Sequence, residues 1–270
     1  MNPLQKAIKY LAIAFAIFLI VTIIGGIMTG IAGISLLFSD SDGTTGEMQM
    51  YTIDGDISSL SIDLSGAKLQ IKASDTFSVE SNNNYISVKS EEGRLSIKET
   101  RKLFTVYPKG ITVILNIPED YVFDKASVET GAGRVKIDAL CADILNLSLG
   151  AGEADIKNLT ARERAEIDAG AGKLKINGGL LNNLELDMGV GDLTLKSRIE
   201  GKSSLDYGIG DTELILLGDN DDYKIEIDKG IGAASVAGEN AHDDYIYGNG
   251  KNRIEIDGGI GSMKIDFSED

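Results

Sequence analysis

"AEIDAGAGKLKI", residues 165–176, carries the reading of the fold. Apolar residues alternate with polar ones on both sides of a Gly-Ala-Gly triplet. Period two is the signature of a β-strand with one buried face. The inward set is expected to be Ala165, Ile167, Ala169 and Ala171, then Leu174 and Ile176. The parity slips by one at Gly172-Lys173. In a flat strand that slip would turn the core face outward, so a corner is expected there. Glycine tolerates the backbone angles such a corner demands.

The unit recurs. Gly-x-Gly stands at Gly131 and Gly133, Gly150 and Gly152, Gly170 and Gly172, Gly189 and Gly191, Gly208 and Gly210, Gly230 and Gly232, and Gly259 and Gly261. The intervals are 19, 20, 19, 19, 22 and 29 residues, the last lengthened by "GENAHDDYIYGNGKN". Three residues before each first glycine stand Val128, Leu147, Ile167, Leu186, Leu205, Ile227 and Ile256; four after each second glycine stand Ile137, Ile156, Ile176, Leu195, Leu214, Val236 and Ile265. A unit this short cannot bury its apolar face alone, but stacked units can. The expected fold is all-β, a parallel β-solenoid with coils of about 19–22 residues. Helical repeats need a 3.6-residue period, which is absent. The triplets' middle residues, Ala132, Ala151, Ala171, Val190, Ile209, Ile231 and Ile260, read as an interior column that widens toward the C-terminus.

The segment 48–125 follows the same grammar less regularly. "LSIDLSGAKLQI" (60–71) has Ser65-Gly66-Ala67 in place of the triplet, and "YISVKSEEGRLSIKE" reads as a hairpin around Glu91–Gly93. These make the first coils and a cap over an open solenoid end. Residues 126–270 hold the Gly-x-Gly repeats.

The N-terminus differs. Residues 10–38 carry no charge and are too long for the apolar stretch of a cleaved secretory signal. They are expected to form an uncleaved transmembrane anchor. Lys6 and Lys9 precede the run, which places residues 1–9 in the cytoplasm and the body outside the cell membrane. Residues 39–47, "SDSDGTTGE", form a flexible tether.

Net charge is −16, and nearly all of it belongs to the body. Such a surface repels nucleic acid and favours cationic partners. The single Cys141 excludes a disulfide within the chain and a cysteine zinc site; it reads as a small buried hydrophobe.

Dinucleotide binding fails on the residues. The third glycine of that fingerprint is replaced by Lys136, Asp155, Lys175, Thr194, Glu213, Ser235 or Lys264, and no helix pattern follows. No cofactor is expected. Acidic residues stand two before the first glycine: Glu129, Asp168, Asp187, Asp206, Asp228 and Asp257, with Ser148 breaking the series. Stacked, they form a row. Asp168, Asp187, Asp206 and Asp228 are the candidate metal ligands, with calcium as the possible ion, and "GDNDDY" (218–223) is a second candidate. Calcium wants six to eight oxygens, so turn capping or plain solvation competes with binding. His242, beside Asp243 and Asp244, reads as solvated, and no catalytic residue is assigned.

The run "ITVILNIPEDYVFDKASVETGAGRVKI", followed by "LSLGAGEADI", "IDAGAGKLKI" and "LDMGVGDLTL", resembles the bacterial DUF4097 proteins, also called "putative adhesins". The resemblance covers most of residues 50–267. It implies a β-repeat fold at the bacterial cell envelope and supplies no catalytic residues. The expected function is a non-enzymatic envelope binding or adhesion module. Its partners would be a cell-wall or surface glycan or another envelope protein. The alternatives are an accessory role in envelope-stress signalling, or a carbohydrate-active enzyme.

Overall fold

The computed structural model describes residues 46–53, 55–100 and 110–269; the apolar run 10–38 lies outside them. Among the described residues no helix is long and apolar enough to cross a membrane. The strands are β1 (Gln49–Thr52), β2 (Ser59–Ser74), β3 (Ser78–Ser81), β4 (Ile86–Glu91), β5 (Arg94–Glu99), β6 (Thr112–Pro118) and β7 (Val122–Ile176). Then come β8 (Leu180–Asn182), β9 (Leu184–Glu200), β10 (Lys202–Leu217), β11 (Tyr223–Asp228), β12 (Ile231–Val236), β13 (Glu239–Ala241), β14 (Tyr245–Gly248) and β15 (Asn252–Ser268).

The fold is all-β and solenoid-like. β7 is one extended path of 55 residues that winds through successive Gly-x-Gly corners. Parallel ladders join β2 to β7, β7 to β9, β9 to β10 and β10 to β15. Equivalent residues face one another: Leu186 pairs with Ile167 below and Leu205 above. All fourteen apolar positions flanking the triplets are buried. The alternation therefore did what period two requires, and the core is a column of Leu, Ile and Val enclosed by the coils.

The stack departs from chain order at both ends. β15 lies between β10 and the split layer β11/β12, so the Gly259 corner stands between the Gly208 and Gly230 corners. At the other end β2 lies between β7 and the split layer β5/β6, although β5 and β6 come later in sequence than β2. Each split layer is then edged by antiparallel strands, β4 on β5 and β3 on β6 at one end, β14 on β11 and β13 on β12 at the other. The 29-residue interval is thus the path out to an end layer and back. It is not a loop hung on a regular stack.

Aromatic side chains gather at these ends. Tyr121 packs edge-on to Phe77 at 4.8 Å and to Phe123 at 5.0 Å, Phe77 lies tilted to Phe123 at 6.2 Å, and the Tyr121 hydroxyl donates to the Ile57 carbonyl. Tyr247 stacks on Phe267 at 5.4 Å. Large rings cover what the narrow Leu/Ile column leaves open.

Two expectations are corrected. The middle residues of the triplets are not an interior column. Ala171, Val190 and Ile209 are half-buried, Ile260 is 38% exposed and Ile231 is 71% exposed. Inward positions run Ala165, Ile167, Ala169, and resume at Leu174, so the corner occupies Gly170–Lys173. Both glycines lie against the layer below, which leaves the residue between them at the outside of the bend. Cys141 is likewise half-buried, not enclosed.

Candidate binding face

One side of the stack carries three stripes. The first is the acidic row. Register places Asp63 beside Glu129, Asp168 beside Asp187, Asp187 beside Asp206, Asp206 beside Asp257, and Asp257 beside Asp228. Asp168, Asp187, Asp206 and Asp228 thus fall in one line, and Asp257 completes it between Asp206 and Asp228. Ser148 interrupts the line within β7, where the Gly150 corner stacks on Gly131 and Gly170 on Gly150. Lys98 closes the far end with a 2.9 Å ion pair to Asp63. That hydrogen bond and the Asp63 charge push the Lys98 ammonium above its ordinary range. At the other end Lys229, next to Asp228, turns its ammonium to the Gly232 carbonyl at 3.2 Å and lies 3.9 Å from Asp243. The Asp206 carboxyl is pushed up, first by desolvation and then by the charges of Asp257 and Asp187. Beyond the row, Arg164 bridges Glu185 at 2.7 Å.

The second stripe is glycine backbone. A Cβ on Gly208 would stand 2.3 Å from the Gly189 carbonyl oxygen, and one on Gly259 would stand 1.8 Å from that of Gly208. Layers stacked at about 4.8 Å leave no room there for any side chain. The stripe is therefore a floor, lower than what flanks it. The third stripe is the row of middle residues, in spatial order Ala171, Val190, Ile209, Ile260 and Ile231. The sequence shows these residue types. What it hides is their direction, although a residue isolated between two glycines is a signal of a corner's outside.

The second glycines hold the corner's angle. Gly133, Gly152, Gly172, Gly191, Gly210, Gly232 and Gly261 all have φ between +130° and +152°. Of the first glycines, Gly131, Gly150, Gly170, Gly189, Gly208 and Gly259 meet the layer below without a positive φ, while Gly230 has φ +62°.

At the C-terminal end the row opens into a concavity of about 360 Å³. Glu226, Asp228, Asp244, Glu255, Asp257 and Tyr245 line it, with Ile246, 60% exposed, at the rim. Lys224 pairs with Glu226 and holds its carboxyl below the usual range. Among the described residues no three His, Cys, Asp or Glu side chains converge closely enough to hold a metal ion. The carboxylates are in line, one per layer, not gathered around a point. In the 218–223 loop, Asp219 instead caps a single 3₁₀ turn, accepting from the Asp221 backbone N–H at 3.1 Å. His242 bonds the Asp243 backbone carbonyl at 2.9 Å and packs its ring edge-on to Tyr245 at 5.3 Å.

The family model for Toastrack DUF4097 matches residues 57–245. The chain belongs to the DUF4097 family. Among solved structures, a "putative adhesin" from Bacteroides fragilis aligns at 14% identity over 81% of this chain and 95% of its own, with a TM-score of 0.42. A "putative cell adhesion protein" from Clostridium sporogenes aligns at 15% identity over 82% and 99%, with a TM-score of 0.34. A "putative adhesin" from Parabacteroides merdae aligns at 13% over 84% and 97%, with a TM-score of 0.31. No curated protein matches this DUF4097 chain.

Proposed function

We propose that this DUF4097 chain is a non-enzymatic binding module of the cell envelope, with adhesion as its role. Residues 10–38 anchor it in the cell membrane, and 39–47 hold the β stack outside. The observation that carries the reading is the three-stripe face. It repeats one chemistry over successive layers, as a surface for a long partner does and a compact reaction centre does not. The partner class is a cell-wall or surface glycan or another envelope protein. The acidic row opposes nucleic acid and anionic polymers.

The test is retention of the full chain, in neutral detergent, on insoluble peptidoglycan, on immobilised neutral and cationic glycans, and on whole envelopes, with a parallel assay for released sugar. Saturable retention without sugar release is expected. Turnover of any glycan would overturn the non-enzymatic reading, and absence of retention on every surface would overturn the binding reading.

A further inference from the structure

The aliphatic row is the feature that solvation does not explain. Carboxylates facing water are ordinary, but an aligned aliphatic row that goes from half-buried Ile209 to exposed Ile260 and Ile231 is not, and exposed apolar surface in adjacent layers marks contact sites. Ile209, Ile260 and Ile231 occupy adjacent layers, and exposure rises along the row to 71% at Ile231. Beside them, across the glycine floor, run Asp206, Asp257 and Asp228 in the same layers. Whatever covers the isoleucines therefore lies within reach of a line of negative charge.

Resting on the binding-module reading, the geometry points to this groove as the docking site of a cationic amphipathic α-helix from a partner protein. Charge complementarity selects a cationic occupant, and the isoleucines require an apolar stripe beside its cations. Spacing selects the helix. Layers recur at about 4.8 Å, and a helix repeats at about 5.4 Å per turn, so basic residues on successive turns stay near successive carboxylates. An extended strand presents same-face residues at about 6.6 Å and falls out of step within three layers. The four steps from Asp168 to Asp228 span about 19 Å, which a helix of about 16 residues covers. The glycine floor lets its cylinder approach over Gly189, Gly208 and Gly259; in the end layer the Lys229 ammonium donates to the Gly232 carbonyl at 3.2 Å, so the helix ends short of Ile231's far side. The concavity beyond Asp257 takes one long basic side chain, with the Tyr245 ring among its carboxylates. A second copy of this chain is a poor occupant, because it would bring one acidic row against another.

The probe is a synthetic helical peptide of about 16 residues with a lysine stripe beside a leucine stripe, and its control is the same composition shuffled to lose the stripes. Binding to the full chain is read by fluorescence anisotropy in neutral detergent at low and high salt. The striped peptide is expected to bind at least about tenfold tighter than the shuffled one, and more weakly as salt rises. Ile231→Ser with Ile260→Ser, and separately Asp206→Asn with Asp257→Asn, should each erase most of that preference without lowering the melting temperature. Equal binding of both peptides, or an unchanged preference in either double variant, overturns the proposal. So does self-association of the chain that the isoleucine variants abolish. The same preparations go through the envelope retention assay. Retention without striped-peptide preference would refute the docking helix alone, and preference without retention would refute the envelope reading alone.

Discussion

Gly210 shows what a single residue does in this molecule. Its φ is +145°, and a Cβ there would stand 1.7 Å from the Gly191 carbonyl oxygen. Both the backbone angle and the neighbouring layer forbid a side chain. Gly210→Ala should cost on the order of 3 kcal/mol or more, read from urea unfolding. Gly238 has φ +80° but nothing within 4 Å of its Cβ position. Gly238→Ala meets only the backbone term, about 1–2 kcal/mol, and a cost equal to that of the Gly210 change would refute the layer-contact account. Asp206 gives a pH signature. Its carboxyl is raised in the folded chain by desolvation, then by Asp257 and Asp187. The folded state therefore holds the proton more tightly than the unfolded state, and stability falls as pH rises from about 4 through the raised pKa. Asp206→Asn should stabilise the chain at neutral pH, with the gain disappearing below about pH 4. A gain that persists unchanged at pH 3 would show that charge is not its origin. At this scale much was legible. The Leu, Ile and Val three before and four after each triplet are buried, as their alternation says. Ile209 was not legible, because an apolar residue in a period-two pattern reads as inward until the corner's geometry is known.

Strand β15 shows what an element does. It is the last strand of the chain, yet it is hydrogen-bonded on both sides. The Arg253 N–H donates to the Gly201 carbonyl at 2.9 Å, and the Ala237 N–H donates to the Ile265 carbonyl at 2.9 Å. Ile256 is 2% exposed between Leu205 and Ile227. Ile256→Ala should cost about 2–5 kcal/mol, measured by denaturant unfolding. Removing residues 252–270 should do more than shorten the stack. It unpairs β10 and β11 together and bares two edges, so aggregation or loss of cooperative unfolding is expected. A cooperative transition in the truncated chain would contradict the interleaved order. This order was not readable from the repeats, for a physical reason. Every unit presents the same apolar positions relative to its glycines, so any unit can stack on any other in register. Only the 29-residue interval hinted that the path goes elsewhere before returning. The acidic row was readable as a row, because register fixes it. Its chemistry as a line, and not a cage, needed the layers in place. Calcium should accordingly raise the melting temperature of the chain no more than magnesium does at equal concentration. A calcium-specific rise would support an ion site on the row.

At the scale of the whole molecule, the proposed function assigns presentation to the acidic body and attachment to the apolar N-terminal run. The full chain should stay with membranes through an alkaline wash, and a chain lacking residues 1–45 should be released. Release of both would remove residues 10–38 from the anchoring role. The interleaved ends carry a further consequence. Each cap is locked to the full coil it encloses, so neither end can gain or lose a layer without rebuilding a cap. The middle coils have no such bond to chain order. A tandem duplication of one 19-residue unit there would lengthen the body by about 4.8 Å and extend all three stripes by one step. Genes for this architecture can therefore set the reach of the molecule in whole increments, as a ruler grows by marks, while its ends stay the same.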